Sequence, residues 1–553
     1  MFKISVIAAA LFATGQATMA QPVGGGGYIQ QIPPRPEAPK RAPDIRLPTT
    51  PPPVDAIGEV GGRVQVNSLR ITGHTLFTEA QLVAATGFAP GQQMDMAQLR
   101  AAAARITAFY NRRGYFVAQA YLPPQDVKEG AVTIAVVEGR YGAISLNNNT
   151  RLRGRVARGI LGDLDSGDPV ASAPLERRLL LLSDIPGIEL KSTLTPGASV
   201  GSSDLVIELT PGRMLTGSLE ADNGGNRYTG EVRLGGSLDF NNPTGLGDLV
   251  SLRVLTSGSG LRYLRGAYEV PVGSVVVGVS YADVDYRLGK EFSALKARGS
   301  AQIASIYGDY PLIRSHDSNL SLLADLTAKR YEDRVGATAS VVDREAVAFT
   351  LGLRGDRRDS FLSGGWSTYS LAVTTGRIDI RTASALAIDR ATARSDGQYA
   401  KVAFAADRLQ ALGGPFSLYG SIRGQAASKN LDISEKMQLG GAFGVRAYPE
   451  GEGYGDRGYL ATIEGRWLLP QPTFGGRVRL IAFIDAGQVQ IAEDPYFVGR
   501  NRLSRSGAGV GAIWADSNNL QLRASYAHRL GSERAISGGD SSGRFWVQLV
   551  KLF

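Results

Sequence analysis

Three patterns in this 553-residue chain hold residue types able to do chemistry. Gly197-Ala-Ser-Val-Gly201 fits G-x-S-x-G, the turn that presents a serine nucleophile to a histidine base. Ser199, however, falls between two short apolar runs that read as strands, and His74, His316 and His528 lie far apart in the chain. The stretch therefore reads as a hairpin tip of small residues. The chain has no cysteine, which excludes thiolate ligands, disulfides and cysteine nucleophiles, and three scattered histidines make no metal site. The third pattern is residues 440–459, GGAFGVRAYPEGEGYGDRGY, where Arg446 stands between apolar neighbours in a glycine-rich run. A guanidinium so placed does no covalent chemistry, but it can fork onto a carboxylate with two parallel hydrogen bonds. The expectation is a protein that is not an enzyme, without cofactor or metal, and the question becomes which elements position Arg446.

Composition narrows those elements. Glycine supplies 69 of 553 residues, nearly twice the usual share of about 7%, which suits many strands and turns. The 60 basic and 51 acidic residues are interspersed. No nucleic-acid arm is expected, and the net charge of +9 reads as a solvated mixed surface. Residues 1–20, MFKISVIAAALFATGQATMA, combine Lys3, a short apolar run and the small residues Thr18 and Ala20, the layout of a cleaved secretory signal. No later run approaches the roughly 18 apolar residues of a spanning helix. A closed barrel is the only other way to cross a bilayer. Residues 21–60 are rich in glycine and proline and read as an extended linker.

Two small α+β units follow, at residues 61–138 and 139–211. In the first, residues 64–72 read as a strand, and Thr78-Glu-Ala-Gln81 and Asp95-Met-Ala-Gln98 read as capping boxes that open helices. Leu99, Ala103, Ile106 and Tyr110 keep helical spacing until Gly114, after which residues 116–122 and 132–137 read as strands. The second unit repeats the order strand, helix, helix, strand, strand, at residues 143–146, 152–161, 173–183, 188–194 and 205–209.

From residue 212 to residue 553 the period becomes two. Leu320, Leu322, Ala324, Leu326 and Ala328 alternate with Ser321, Asp325, Thr327 and Lys329, a lipid-out and lumen-in pattern that only Leu323 interrupts. About sixteen such strands fit, and their links sort by parity. After even strands they are short: NNPTGLGD (241–248), VPVGS (270–274), LQALGGP (409–415) and ADSNN (515–519). After several odd strands they are long: residues 329–346, 376–397, about 429–457, 486–503 and 528–543. A transmembrane barrel with both termini in the periplasm requires short turns on one side and long loops on the other, whereas a soluble sandwich does not. The expected fold is two α+β domains followed by a 16-stranded antiparallel transmembrane β-barrel.

The order of the small units resembles the POTRA module of outer-membrane assembly and secretion proteins. Val445-Arg446-Ala447-Tyr448 resembles the VRGY or VRGF motif of the BamA-like barrel superfamily. Its continuation, PEGEGYGDRGY, is similar to the two-partner secretion transporters, the TpsB group related to ShlB, FhaC and HecB. NNPTGLGD is similar to that group's first periplasmic turn, and Phe483-Ile-Asp-Ala-Gly487 to its inward-facing motif on strand thirteen. Phe553, closing FWVQLVKLF, looks like the final-strand signal read by barrel-assembly machinery. The resemblance covers the chain from the first α+β unit onward.

It implies an outer-membrane protein of a Gram-negative bacterium whose POTRA-like domains face the periplasm. They would recognise an unfolded exoprotein carrying an N-terminal secretion domain, either by adding its strand to a sheet edge or simply by acting as spacers to the pore. The other implied partners are outer-membrane lipid or lipopolysaccharide and the barrel-assembly machinery. The resemblance also pairs Arg446 with Asp485, which alternation places on one strand face with Arg479, Ile481 and Phe483. Two alternatives stay open, a BamA-type insertase and a passive porin or receptor. The chain departs from the pattern twice. Ala447 stands where the family usually has glycine, and residues 21–31 are too glycine-rich to favour the family's N-terminal plug helix, which is expected to be absent or weak.

Overall fold

Alternation along the C-terminal part of the chain closes into a barrel of sixteen antiparallel strands, from Leu215–Asp222 to Gly543–Leu552. The computed structural model describes residues 25–36, 44–46, 62–162 and 164–553. The signal segment at 1–20 and most of the linker at 21–60 lie outside the described residues. On strand 13 (Gly476–Gln490) Asp485 is wholly buried, while its neighbour Ile484 is 57% exposed. Leu219, Leu252, Leu264, Ile306, Leu326, Val347 and Val510 are exposed in the same way. In water such a belt of large apolar residues would be a liability; here it is the lipid-facing surface. No helix among the described residues is long and apolar enough to cross a membrane.

The links obey parity, with one correction. Residues 242–248, 273–274, 315–317, 414–415 and 517–519 are short turns, whereas residues 381–396, 428–456 and 530–542 are long on the opposite rim. The expected loop at 329–346 is instead mostly strand. Ser318–Val335 and Ser340–Asp359 stay paired up to Val335↔Ser340, leaving only residues 336–339 as the link. The outward face of this hairpin turns polar with Arg330, Glu332 and Arg334, while Tyr331, Asp333 and Arg344 are buried on the inward face, and the ladder continues because it still satisfies the backbone there. The first and last strands meet over the barrel's shortest ladder, from Ser218↔Leu552 to Asp222↔Gln548. Beyond it the Asn223 side chain imitates a peptide. Its Nδ2 donates to the Phe545 carbonyl oxygen at 2.8 Å, and its Oδ1 accepts the Val547 N–H at 2.8 Å.

The two α+β units share one layout. In the first, Ser68–Thr72 runs parallel to Ala131–Val137, which Gln119–Tyr121 flanks antiparallel. In the second, Arg140–Asn148 runs parallel to Ser202–Pro211, which Ile188–Pro196 flanks antiparallel. Both helices of the first unit open with reciprocal capping boxes, at Thr78 and Asp95. The single strand expected at 64–72 breaks at Asn67, because Val64–Val66 turns aside to pair with Gln92–Met94. The strand expected at 116–122 shortens to Gln119–Tyr121. At the junction of the units, Glu138 accepts the backbone N–H groups of Thr75 at 2.7 Å and Leu76 at 2.8 Å and the Tyr110 hydroxyl at 2.9 Å. Burial alone would push its carboxyl up, but these bonds, together with the Thr75 hydroxyl, hold it below the usual range.

Two pieces of the linker region are ordered against the rest. Asp44–Arg46 adds to the edge strand Ile188–Pro196 in parallel. Gly25–Ile29 forms a helix inside the lumen, which corrects the expectation from its composition. Tyr28 is 2% exposed and lies 4.6 Å from the Tyr286 ring. A Cβ on Gly26 would sit 2.5 Å from the Ser434 Cβ, so glycine is what lets this helix approach loop residues closely. Tertiary contact outweighs poor intrinsic propensity at this point.

Candidate functional site

Loop 6, residues 428–456, is the longest link and folds back into its own barrel. Its tip is a tight turn: Val445 N–H donates to the Leu439 carbonyl at 2.7 Å, and Tyr448 N–H to the Val445 carbonyl at 3.0 Å. A Cβ on Gly444 would lie 2.1 Å from the Leu439 carbonyl oxygen, so only glycine closes this turn. The turn drives Val445, Arg446, Ala447 and Tyr448 against the wall, and all four are buried.

Arg446 meets two carboxylates there. Its Nε donates to Asp485 Oδ2 at 2.8 Å and its Nη2 to Asp485 Oδ1 at 2.7 Å, a bidentate fork. Its backbone N–H adds a bond to the same Oδ2 at 3.1 Å. Nη1 donates to Glu464 Oε1 on strand 12 (Arg457–Leu468) at 2.7 Å. The guanidinium carbon sits 3.3 Å from the Phe483 ring centroid, a cation–π contact. Trp546 Nε1, on the last strand, donates to the Arg446 carbonyl at 2.7 Å. The second carboxylate is itself shared: Arg466 donates to Glu464 Oε2 from Nε at 2.9 Å and from Nη2 at 2.7 Å. Thr462 Oγ1 donates to Asp485 Oδ1 at 2.8 Å. Every strong group in this cluster has a partner.

The wall is cut to the loop. Ala447 has no positive φ. Its methyl group fits because Gly507 on the facing strand lacks one: a Cβ there would lie 2.5 Å from the Ala447 Cβ. A Cβ on Gly487 would likewise sit 2.8 Å from Leu439 Cδ2. Tyr448 donates its hydroxyl to the Glu533 carbonyl at 2.9 Å. At the chain end, Phe553 exchanges backbone bonds with Gly217 at 3.1 Å each, extending the seam.

Several further residues hold the loop through partners that no sequence pattern announces. Glu452 is fully buried and accepts Arg505 Nε at 2.8 Å and Nη2 at 2.7 Å. Its other oxygen accepts the N–H groups of Ile536 and Ser537, each at 2.9 Å, and the Ser537 hydroxyl at 2.7 Å. Glu464 stands at a lumen position that alternation identifies, but its contact with Arg446 had no signal of its own. The lumen helix is tied to the same loop, since Tyr454 Oη donates to the Gly27 carbonyl at 3.2 Å and accepts Gln31 Nε2 at 2.8 Å. Ser199 lies on the turn between Ile188–Pro196 and Ser202–Pro211, where its backbone bonds the Ser202 hydroxyl.

The assembled cluster is an ionic latch that holds a loop across a pore. Residues 201–512 match the family model described as haemolysin secretion/activation protein ShlB/FhaC/HecB, and residues 64–139 match the ShlB-type POTRA domain. The heme/hemopexin transporter protein HuxB of Haemophilus influenzae is 27% identical over 84% of this chain and 82% of its own length. The outer membrane transporter CdiB of Dickeya dadantii is 24% identical over 77% of this chain and 76% of its own. The structure of CdiB from Escherichia coli superposes with a TM-score of 0.73 at 22% identity, covering 92% of this chain and 94% of that one. BamA from Haemophilus ducreyi shares the fold at a TM-score of 0.51 and 14% identity, with 88% of this chain and 100% of that chain covered.

Proposed function

The chain belongs to the haemolysin secretion/activation family of ShlB, FhaC and HecB, and on that premise we propose how its loop and barrel carry out export. It is an outer-membrane translocator of the two-partner secretion type, with its POTRA region in the periplasm. The family's members are transporters, and the role we assign to Arg446 is conformational rather than catalytic.

In this reading, an unfolded exoprotein with an N-terminal secretion domain docks on the two α+β units and threads the lumen past loop 6. Folding outside the cell then supplies direction without ATP. The observation that carries the reading is the Arg446 fork on Asp485 with Glu464 behind it, which ties a pore-crossing loop to the wall at a buried point. Outer-membrane lipid or lipopolysaccharide covers the apolar belt, and Phe553 serves as the final-strand signal during barrel assembly. Deleting residues 61–211, or Arg446→Ala, should abolish export of the cognate exoprotein while the barrel still reaches the outer membrane. Unchanged export in either variant would overturn the reading. General loss of other outer-membrane barrels in a knockout would instead favour an insertase.

A further inference from the structure

The lumen is charged unequally on its two sides. Inward positions of strands 2 to 8 carry both signs, with Asp239, Glu269 and Asp325 among the acids and Arg253, Arg265 and Arg354 among the bases. Inward positions of strands 11 to 15 carry Arg423, Arg466, Arg477, Arg479 and Arg523, with two carboxylates among them, Asp485, which Arg446 occupies, and Glu464. Glu464 is already held by Arg446 and Arg466 at 2.7 Å each, so Arg523 approaches it only to 3.6 Å. Arg423 donates to the Phe443 carbonyl. Arg477 and Arg479 have no acidic partner within 4.0 Å among the described residues. Arg423 and Arg477 are exposed to the lumen and its periplasmic mouth, and Arg479 and Arg523 are half-buried.

The chain's own lumen segment keeps to the other side. Helix Gly25–Ile29 contacts strands Val275–Arg287, Ala297–Arg314 and Ser318–Val335. Arg233 on strand 2 donates to the Gln31 carbonyl at 2.7 Å, and Arg35 pairs with Asp239. The mixed side of the lumen is therefore occupied by the chain's own helix, whereas on the arginine side Arg477 and Arg479 stay without an acidic partner among the described residues.

We propose that this arginine side is the track for acidic side chains of the exported polypeptide on its way to the Arg446 latch. The inference rests on the translocator reading and names the chemistry that its pore takes. Arg479 and Arg523 occupy one cross-strand row, joined through Ile513. Two strand spacings put them about 10 Å apart, close to the roughly 9 Å between carboxylates three residues apart on an unfolded chain in polyproline-II form, where every third side chain faces the same way. Like charges crowded together repel, so an incoming carboxylate is favoured twice, by its own pairing and by relief of that repulsion. Guanidinium groups suit this task because each presents a fork to a carboxylate.

The test uses full-length protein in detergent micelles and two fluorescein-labelled probes, deca-glutamate and deca-lysine, titrated at low and at physiological salt. Deca-glutamate should bind, more weakly as salt rises, and deca-lysine should not. R477Q/R479Q/R523Q should weaken deca-glutamate binding by about tenfold, while R477K/R479K/R523K should keep most of it. A control, R100Q/R112Q/R155Q, removes exposed arginines from the α+β units and should bind as wild type does. Equal binding by the glutamine variant, equal binding of deca-lysine, or a lysine variant as weak as the glutamine one would each overturn the proposal. Heat-modified gel mobility verifies that each barrel is closed. Peptide binding is read without export, so failure here leaves the translocator intact, and failure of export with binding retained counts against the translocator instead.

Discussion

Beyond the pairs that Asp432 and Glu435 make with Arg344, Lys329 and Lys401 near the start of loop 6, its tip is held at two places by ion pairs of opposite sense. At one, the loop supplies the cation, Arg446, and the wall supplies the carboxylates Asp485 and Glu464. At the other, the loop supplies the carboxylate, Glu452, and the wall supplies the cation, Arg505. The first clamp uses side chains of adjacent strands. The second adds backbone N–H groups of another loop, residues 530–542, so it joins two loops as well as loop and wall. The difference teaches that neither end of the tip can slide: any shift along the pore that relaxes one clamp separates charges in the other.

Breaking the first clamp should have the largest effect. Arg446→Ala leaves buried Asp485 without its cation and Glu464 to Arg466, a loss of about 3 to 5 kcal/mol locally. We expect export to cease and residues 440–459 to become open to protease on intact cells; persistent protection would show that the second clamp suffices. Glu452→Gln comes next. It removes the charge from Arg505, which keeps the Ser504 carbonyl at 3.0 Å, so the cost should fall to about 2 kcal/mol. Hydrogen exchange at Ile536 and Ser537 would rise in that variant and stay unchanged in Arg446→Ala if the clamps act separately. A third change tests fit without charge. Gly507→Ala places a methyl group on that of Ala447 and should cost about 1 to 3 kcal/mol, with Ala447→Gly in the same chain restoring thermal stability of the folded barrel.

The smallest effect sharpens the comparison from outside the membrane. Glu138, like Glu452, is a buried carboxylate met by backbone N–H groups, and its folded pKa lies below the ordinary 4.5. Its stabilisation is therefore complete above that ordinary value and is lost as pH falls through the lower folded one. Protection of the Thr75 and Leu76 amides, corrected for intrinsic exchange, should hold down to the ordinary glutamate range and decline only as pH falls below it. Glu138→Gln should show no such decline.

Much of the barrel is legible in sequence because lipid and lumen impose opposite demands on successive residues. That logic gives Asp485 its inward face, and the motif resemblance directs Arg446 toward it. Glu452 is not legible, since Arg505 and Ser537 are brought to it only by closure of the barrel and by the fold of a second loop. The hairpin around residues 336–339 is not legible for a different reason. Its outward face swaps apolar residues for Arg330, Glu332 and Arg334, while buried Asp333 and Arg344 pair on the inward face, so the apolar alternate disappears and a paired strand looks like a loop. The lumen helix fails a third way, because glycines that disfavour a free helix are what allow Gly26 to lie against Ser434.

That hairpin has a consequence for geometry at the cell surface. Strands such as Ser340–Asp359 run for 20 residues. At about 3.3 Å per residue and a tilt near 45°, they rise roughly 45 Å, against an apolar band of about 25 Å. Strand 16, Gly543–Leu552, has only 10 residues and ends near the bilayer surface. The rim of the pore is therefore a slope, high beside strands 6 to 9 and low at the seam. On the proposed route, an emerging polypeptide would pass a wall of paired strands on one side and, on the other, only the loop of residues 530–542, an asymmetry that would bias the side on which it first folds.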